Sequence, residues 1–340
     1  MSTNQKAVQG SGNLTGLLVL GRMGSFFVGG RMVEQTPIEC GLSDLGITSS
    51  DLVPVEQMYV SYLEPVDAIE HPVVLVHGLT VSGKCYETQP DGRMGWNEYF
   101  VRNGYPVYMP DQVTRGRSGF NQAEFNNARA GVIDAATQAP LVRVGVNFAR
   151  VEWRYGTKDG STFEDTQFPV DHIDEFLKQT APSPFDYATP NETPQRLAEL
   201  AEQLEGAVLV GHSESAMYPV EAALANPSRV KGLVIIEAEN PDPDQFTDED
   251  IAKLAEIPIT FLYGDHLDAE MMIPDTTWLN GFGMAKVLIE RINAAGGNAS
   301  LIHPPELGIH GNSHMPMIDK NSDQIADLIM FWIQKHVGKR

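Results

Sequence analysis

Cysteine is scarce in this chain: 340 residues contain only Cys40 and Cys85. Two cysteines make neither a disulfide framework nor a metal-ligand set; they read as two unrelated buried thiols, with a pairing in an oxidising compartment as the alternative. Basic residues are also few. Against 45 aspartates and glutamates stand 24 lysines and arginines, a formal net charge of −21. A polyphosphate or an anionic membrane surface needs a basic patch, so nucleic-acid and membrane-surface binding are excluded. No long apolar run occurs, and "LLVL" at Leu17–Leu20 is far shorter than the roughly 20 residues that span a bilayer. The opening residues lack the charged, apolar and small-residue regions of a secretory leader, which favours the cytoplasm over secretion. There is no P-loop, no G-x-G-x-x-G and no spaced His/Cys/Glu set. The expectation is therefore neither cofactor nor metal, and "GDHLD" (Gly264–Asp268) reads as a strand-end loop.

What is present suits one large α/β domain with an insertion. Near the start, "GLLVLG" and "SFFVGGRMVE" read as two strands around a turn at Arg22–Gly24, with "MYVSYLEP" (Met58–Pro65) as a third. These form an antiparallel opening. From Pro72 the texture changes to short apolar runs separated by helical segments: "VVLVHG", "PVYMPD", "AVLVGHS", "GLVIIEAEN", "ITFLYGDHLD" and "SLIHPPE". Alternation of this kind predicts a mostly parallel, doubly wound sheet whose reactive groups gather at the carboxyl ends of the strands. One connection, Ser118 to Val208, is too long for a single helix and reads as a lid or cap. The boundaries are a disordered N-terminus at 1–12, a core at 13–118 and 195–340, and a cap at 119–194. Among the cap's aromatics, Phe148, Trp153 and Tyr155 are candidates to line a substrate pocket. The competing reading is that they form the small core any cap needs.

The stretch "LVGHSESAMYP" (Leu209–Pro219) has an apolar strand before it and a helix-compatible run, Ser215–Ala225, after it. That is four-fifths of the G-x-S-x-G nucleophile elbow, with Ser215 at the place of the last glycine. A serine hydroxyl needs a base, a group orienting that base, and donors for an oxyanion. The base is His314, in H-x-P-x-x-D before an amphipathic last helix, in preference to His310. The acid is Glu237, which interrupts the apolar "VIIE", or Asp265 or Asp268 at the end of the next strand. A carboxylate among apolar residues needs a partner, but on the residues alone these strand ends are level. The loop "HGLT" nominates the backbone N–H of Leu79 as one oxyanion donor, and the N–H of Glu214 as the second.

These pieces resemble the α/β-hydrolase superfamily over residues 56–338. More narrowly, the chain resembles a small group of bacterial esterases with fungal relatives, on "GHSES", "DGRMGWNEYF", "GRMVEQTPIE" and "AAGGNASLIHPPELGIHGNSHM". The resemblance implies an α/β-hydrolase fold, a Ser213–His314–Glu237 triad and a homodimer, and so favours Glu237 as the acid. One departure stands out. The group's best-known form has two adjacent cysteines after H-G, where this chain has Leu79 and Thr80.

The function expected is hydrolysis of a small-molecule carboxylic ester through an acyl-enzyme. The alternatives are the same machinery acting on a lactone, an amide or a C–C bond, and a protein that binds a ligand or shapes an intermediate without acyl transfer. The Glu214 carboxylate, directly after the nucleophile, either repels anionic substrates, raises the basicity of His314, or points to solvent.

Overall fold

The short apolar runs become the centre of one eight-stranded sheet. The computed structural model describes residues 16–68, 70–185, 191–272 and 277–338. In chain order the strands are β1 (Leu20–Gln35), β2 (Asp51–Pro65), β3 (Val73–Val76), β4 (Val107–Asp111), a separate two-stranded pair of β5 (Leu141–Val142) and β6 (Ser183–Pro184), then β7 (Ala207–His212), β8 (Val230–Ile236), β9 (Ile259–Leu262) and β10 (Ala299–Ile302). The main sheet has the order β1-β2-β4-β3-β7-β8-β9-β10. β2 runs antiparallel to both β1 and β4, and the remaining pairs are parallel. This is the mixed, mostly parallel sheet with an antiparallel opening that the sequence predicts.

Every residue of β3, β4, β7 and β9 is buried, as strands covered on both faces must be. Successive side chains alternate between two cores. Val74, Leu209, Leu233 and Phe261 join Leu197 of α5 (Thr193–Gln203), Ala222 of α6 (Tyr218–Ala225), Leu254 of α7 (Asp248–Leu254) and Leu288 of α8 (Trp278–Ala294). On the other face, Leu75, Val208, Val234 and Leu262 pack with Phe100 of α1 (Trp96–Arg102) and Ile329 of α9 (Ser322–His336). The strand period of two thus sends alternate residues to opposite helix layers.

The opening differs from expectation in one respect. There is no turn at Arg22–Gly24: Arg22, Met23 and Gly24 pair with Glu64, Leu63 and Tyr62, and β1 runs straight on to Gln35. Gly24 serves packing rather than a turn, because a Cβ there would stand 2.9 Å from the Tyr62 hydroxyl. The expected three strands are therefore two long ones, with Met58–Pro65 as the second half of β2. Residues 1–12, expected to be disordered, lie outside the described residues.

Between β4 and α5 the chain carries α2 (Ala123–Arg129), α3 (Val146–Glu152), α4 (Ile173–Leu177) and the β5–β6 pair. Its aromatics cluster as a small core. Tyr155 stacks on Phe168 at 4.3 Å between ring centroids, and Trp153 meets Phe176 edge-on at 5.1 Å.

Candidate active site

β7 ends at His212, and the next residue, Ser213, adopts φ +58°. A left-handed conformation is uncommon for a residue with a side chain, and here it starts a tight turn, Ser213–Ser215, before α6 begins at Tyr218. The helix thus starts three residues later than the helix-compatible run suggests. Ser215 is more than a small residue tolerated at a glycine position. Its hydroxyl donates to Val76 O (3.1 Å) and accepts from His212 N (3.2 Å), tying the turn to β3.

The structure brings three of the sequence-predicted residues together. Ser213 Oγ lies 2.8 Å from His314 Nε2, and His314 Nδ1 lies 3.2 Å from Glu237 Oε2. His314 is on the loop between β10 and α9, which is built around Asp319. That carboxylate accepts from Ser313 N (2.8 Å), Ser313 Oγ (2.6 Å) and Asn312 Nδ2 (2.9 Å). Burial nevertheless pushes Asp319 up to about 6. The His314 amide donates to Trp153 O (2.9 Å), and its carbonyl is bonded to His212 Nε2 (2.7 Å). Burial, with His314 nearby, takes His212 down to about 3, so its ring stays neutral.

Glu237 follows directly on β8, also at a left-handed φ of +54°, with its amide bonded to Leu262 O of β9. Burial by itself would raise its pKa. The Arg154 charge, with hydrogen bonds from His314 and Arg154, prevails and holds the carboxylate well below its ordinary range. Arg154 is fully buried; its Nη1 and Nη2 donate to Glu237 Oε2 and Oε1 at 2.7 and 2.6 Å. Gly264 N adds a fourth bond at 2.5 Å. His314 is shifted down, first by burial and further by Arg154, with Glu237 opposing.

The other candidate acids are elsewhere. Asp265 accepts from His266 N and Gly311 N and faces His310 at 3.1 Å, so its carboxylate serves the neighbouring loop. Asp268 is exposed. Asp165, Asp265 and His266 place ligand atoms within 4.8 Å of one another, on partly to fully exposed residues. "GDHLD" thus contributes two members of a group that could hold a cation, although His266 is already bonded to Asp165 at 2.9 Å and stacks on Phe163.

Ser213 and His314 open onto a cavity of about 230 Å³, whose lining includes Leu79, Val144, Phe148, Trp153 and Trp278. Of the three aromatic pocket candidates, Phe148 and Trp153 are among the residues lining this cavity and Tyr155 is not; Tyr155 stacks on Phe168. Leu79 shares the cavity with Ser213. The Glu214 side chain neither repels from within the cavity nor faces solvent: it pairs with Arg115 at 2.9 Å, and Arg115 Nη1 donates to Pro184 O at 2.6 Å.

Arg154 and Trp278, whose ring lies 4.2 Å from that of His314, escaped the sequence reading. For Arg154 a signal exists: a carboxylate inside an apolar strand needs a countercharge, and Arg154 is a cation between two aromatics. Trp278 offers no such signal. The thiols of Cys40 and Cys85 are free, the first half-buried and the second fully buried. Among the described residues no helix is long and apolar enough to cross a membrane.

No family model matches the chain. The chain is 39% identical to a protein whose structure is described as that of a novel bacterial esterase, with a TM-score of 0.86 over 95% of this chain and 98% of that one. This chain belongs to the α/β-hydrolase superfamily. Within that superfamily it is an esterase- or lipase-like hydrolase. A curated relative, the probable secreted lipase phiG of Fungal sp. (strain ATCC 74256), is 24% identical over 306 residues, covering 78% of this chain and 82% of that protein. That relative is named as secreted, in contrast to the cytoplasmic placement read from this sequence.

Proposed function

We propose that the protein cleaves a carboxylic ester through an acyl-enzyme. Ser213 Oγ attacks the carbonyl carbon while His314 Nε2 takes the hydroxyl proton. The same proton passes to the alkoxide as the C–O bond breaks, and an alcohol leaves. Water, activated by His314, then cleaves the acyl-serine and releases the acid. Glu237 orients His314 and stabilises its cation, while the amides of Leu79 and Glu214 hold the oxyanion. The observation that carries this reading is the 2.8 Å contact of Ser213 Oγ with His314 Nε2 at a left-handed turn after β7.

Residues 119–194 act in this reading as a cap over the cavity. The cavity lining includes two carboxylates, Glu152 and Glu239, and among the described residues no lysine or arginine. That composition supports a neutral or cationic ester over an anionic one. The homodimer belongs to the same reading, and Met23, Phe27 and Met32, exposed along β1, are the apolar surface it would cover. Sedimentation equilibrium tests that part.

The decisive experiment is intact mass after exposure to a fluorophosphonate, which modifies an activated serine. A single adduct on the wild type, absent from Ser213→Ala and His314→Ala, is the expected result. A folded wild type without an adduct, yet turning over an ester, would remove Ser213 from the mechanism.

A further inference from the structure

Two of the residues that hold the His314–Glu237 pair from outside the sheet are consecutive and come from the inserted segment. Trp153 O accepts the His314 amide at 2.9 Å. Arg154, at a left-handed φ of +50°, sends its guanidinium onto the ends of two strands. It grips both oxygens of Glu237 and donates from Nε to Asp265 O at 2.9 Å. Its charge also lies over the Trp278 ring, 5.2 Å from the centroid, and Trp278 in turn packs on His314. A left-handed conformation at a bulky residue persists only where the surroundings impose it, and here it aims the side chain at Glu237.

The bonding at Glu237 is unequal. Oε2 is shared between Arg154 Nη1 at 2.7 Å and His314 Nδ1 at 3.2 Å. Paired guanidinium bonds fix the carboxylate plane, and with it the direction from which the imidazole is held. Resting on the reading of Ser213, His314 and Glu237 as a working triad, we propose that Arg154 is a positioning residue: it sets the orientation and the charge of Glu237, so that docking of the inserted segment completes the catalytic apparatus. Removing Arg154 would leave the carboxylate held, among the described residues, by only Gly264 N and His314 Nδ1 and would take away a cation that opposes protonation of the pair.

The pair titrates as a unit, so the consequence is visible in the acid limb of kcat/KM. Facing or near the pair are His212 from β7, Tyr263 after β9, Asp319 from the histidine loop, and Glu152 and Glu239 on the cavity wall. All five are present in every protein compared, so their titration is common to the difference.

The test is kcat/KM for a neutral aryl ester against pH in wild type, Arg154→Gln and Arg154→Lys, with folding checked by near-ultraviolet circular dichroism. Arg154→Gln is expected to lower the plateau by about tenfold or more and to move the acid limb upward by about one pH unit, the usual scale for loss of a nearby cation. A purely structural role would lower the plateau and leave the limb in place, and a folded Arg154→Gln with the wild-type limb overturns the proposal. If that variant does not fold, Arg154→Lys decides. A cation without the fork keeps the limb near wild type and lowers the plateau about tenfold, whereas an unchanged plateau overturns the proposal. Ser213→Ala with retained turnover would instead defeat the triad reading itself.

Discussion

A Cβ placed on Gly78 would stand 2.8 Å from the Ser213 Cβ. The loop after β3 therefore presses against the turn after β7 closely enough to require glycine. Leu79, the next residue, lines the same cavity as Ser213, and its amide is the proposed oxyanion donor. Gly78→Ala would have to push the loop back and withdraw that amide from the reacting carbonyl. Loss of one oxyanion donor lowers kcat by about 10²–10³, and the same fall is expected here, measured on a short-chain aryl ester. Wild-type turnover in Gly78→Ala would mean that the Leu79 amide is not used.

Glu237→Gln tests the acid and the ion pair at once. The amide cannot stabilise an imidazolium as a carboxylate does, and a kcat fall of about 10³–10⁴ follows. It also leaves Arg154 buried without a countercharge, which costs about 3–5 kcal/mol when one partner of a buried pair is removed. Urea unfolding should show the second effect and steady-state kinetics the first. Asp268→Asn, at an exposed position, should change stability by no more than about 0.5 kcal/mol and leave kcat unaltered. The reverse pattern of kinetics would return the acid's role to the end of β9.

The sheet was largely readable because its strands obey a local rule: short, β-branched, uniformly apolar runs bounded by turn residues. The proposed nucleophile and base, Ser213 and His314, stand out for a related reason, since each has a recognisable local context at a strand end. The proposed acid was not readable from the residues alone. Glu237, Asp265 and Asp268 all follow strands, and what separates them is the direction of each side chain, set by a left-handed φ at Glu237 and by loop bonds at Asp265. Arg154 lies 83 positions from Glu237, and no periodicity links them. The missing turn at Arg22–Gly24 has the same origin: a glycine signals backbone freedom or close packing, and only the position of Tyr62 tells which.

Ser215 should prove structural. Its hydroxyl bonds both Val76 O and His212 N inside the core, so Ser215→Ala leaves a buried donor without that partner. The expected loss is about 1–3 kcal/mol of stability, read from urea midpoints, with fluorophosphonate labelling of Ser213 intact. Ser215→Gly restores the glycine of the common elbow pattern, loses the same bonds and adds backbone freedom, so it should be no more stable than Ser215→Ala. Loss of labelling in a folded Ser215→Ala would assign the reactive hydroxyl to the wrong serine.

Acid should affect stability before it affects catalysis. His77, His212 and His314 are fully buried, and burial shifts all three below 6.5, His212 to about 3. A histidine with a depressed folded pKa takes up its proton more readily when unfolded. Its contribution to stability is therefore complete above 6.5 and is lost as pH falls toward the folded value. Asp319 acts in the opposite sense. Its folded pKa of about 6 exceeds the ordinary 3.8, so stability is gained as pH falls between those values. Burial raises Glu221, Glu239, Asp323 and Asp327 in the same sense as Asp319, but these four sit nearer solvent. The three fully buried histidines therefore prevail, and the melting temperature should decline as pH drops below 6.5. The base needs His314 neutral, and its own shift is downward, so the acid limb of kcat/KM should lie below 6.5 and activity should persist where the melting temperature has begun to fall. Scanning calorimetry and initial rates over the same buffers measure both. A limb above 6.5, or a melting temperature unchanged from about pH 7 to about pH 5, would contradict neutral, buried imidazoles at these three positions.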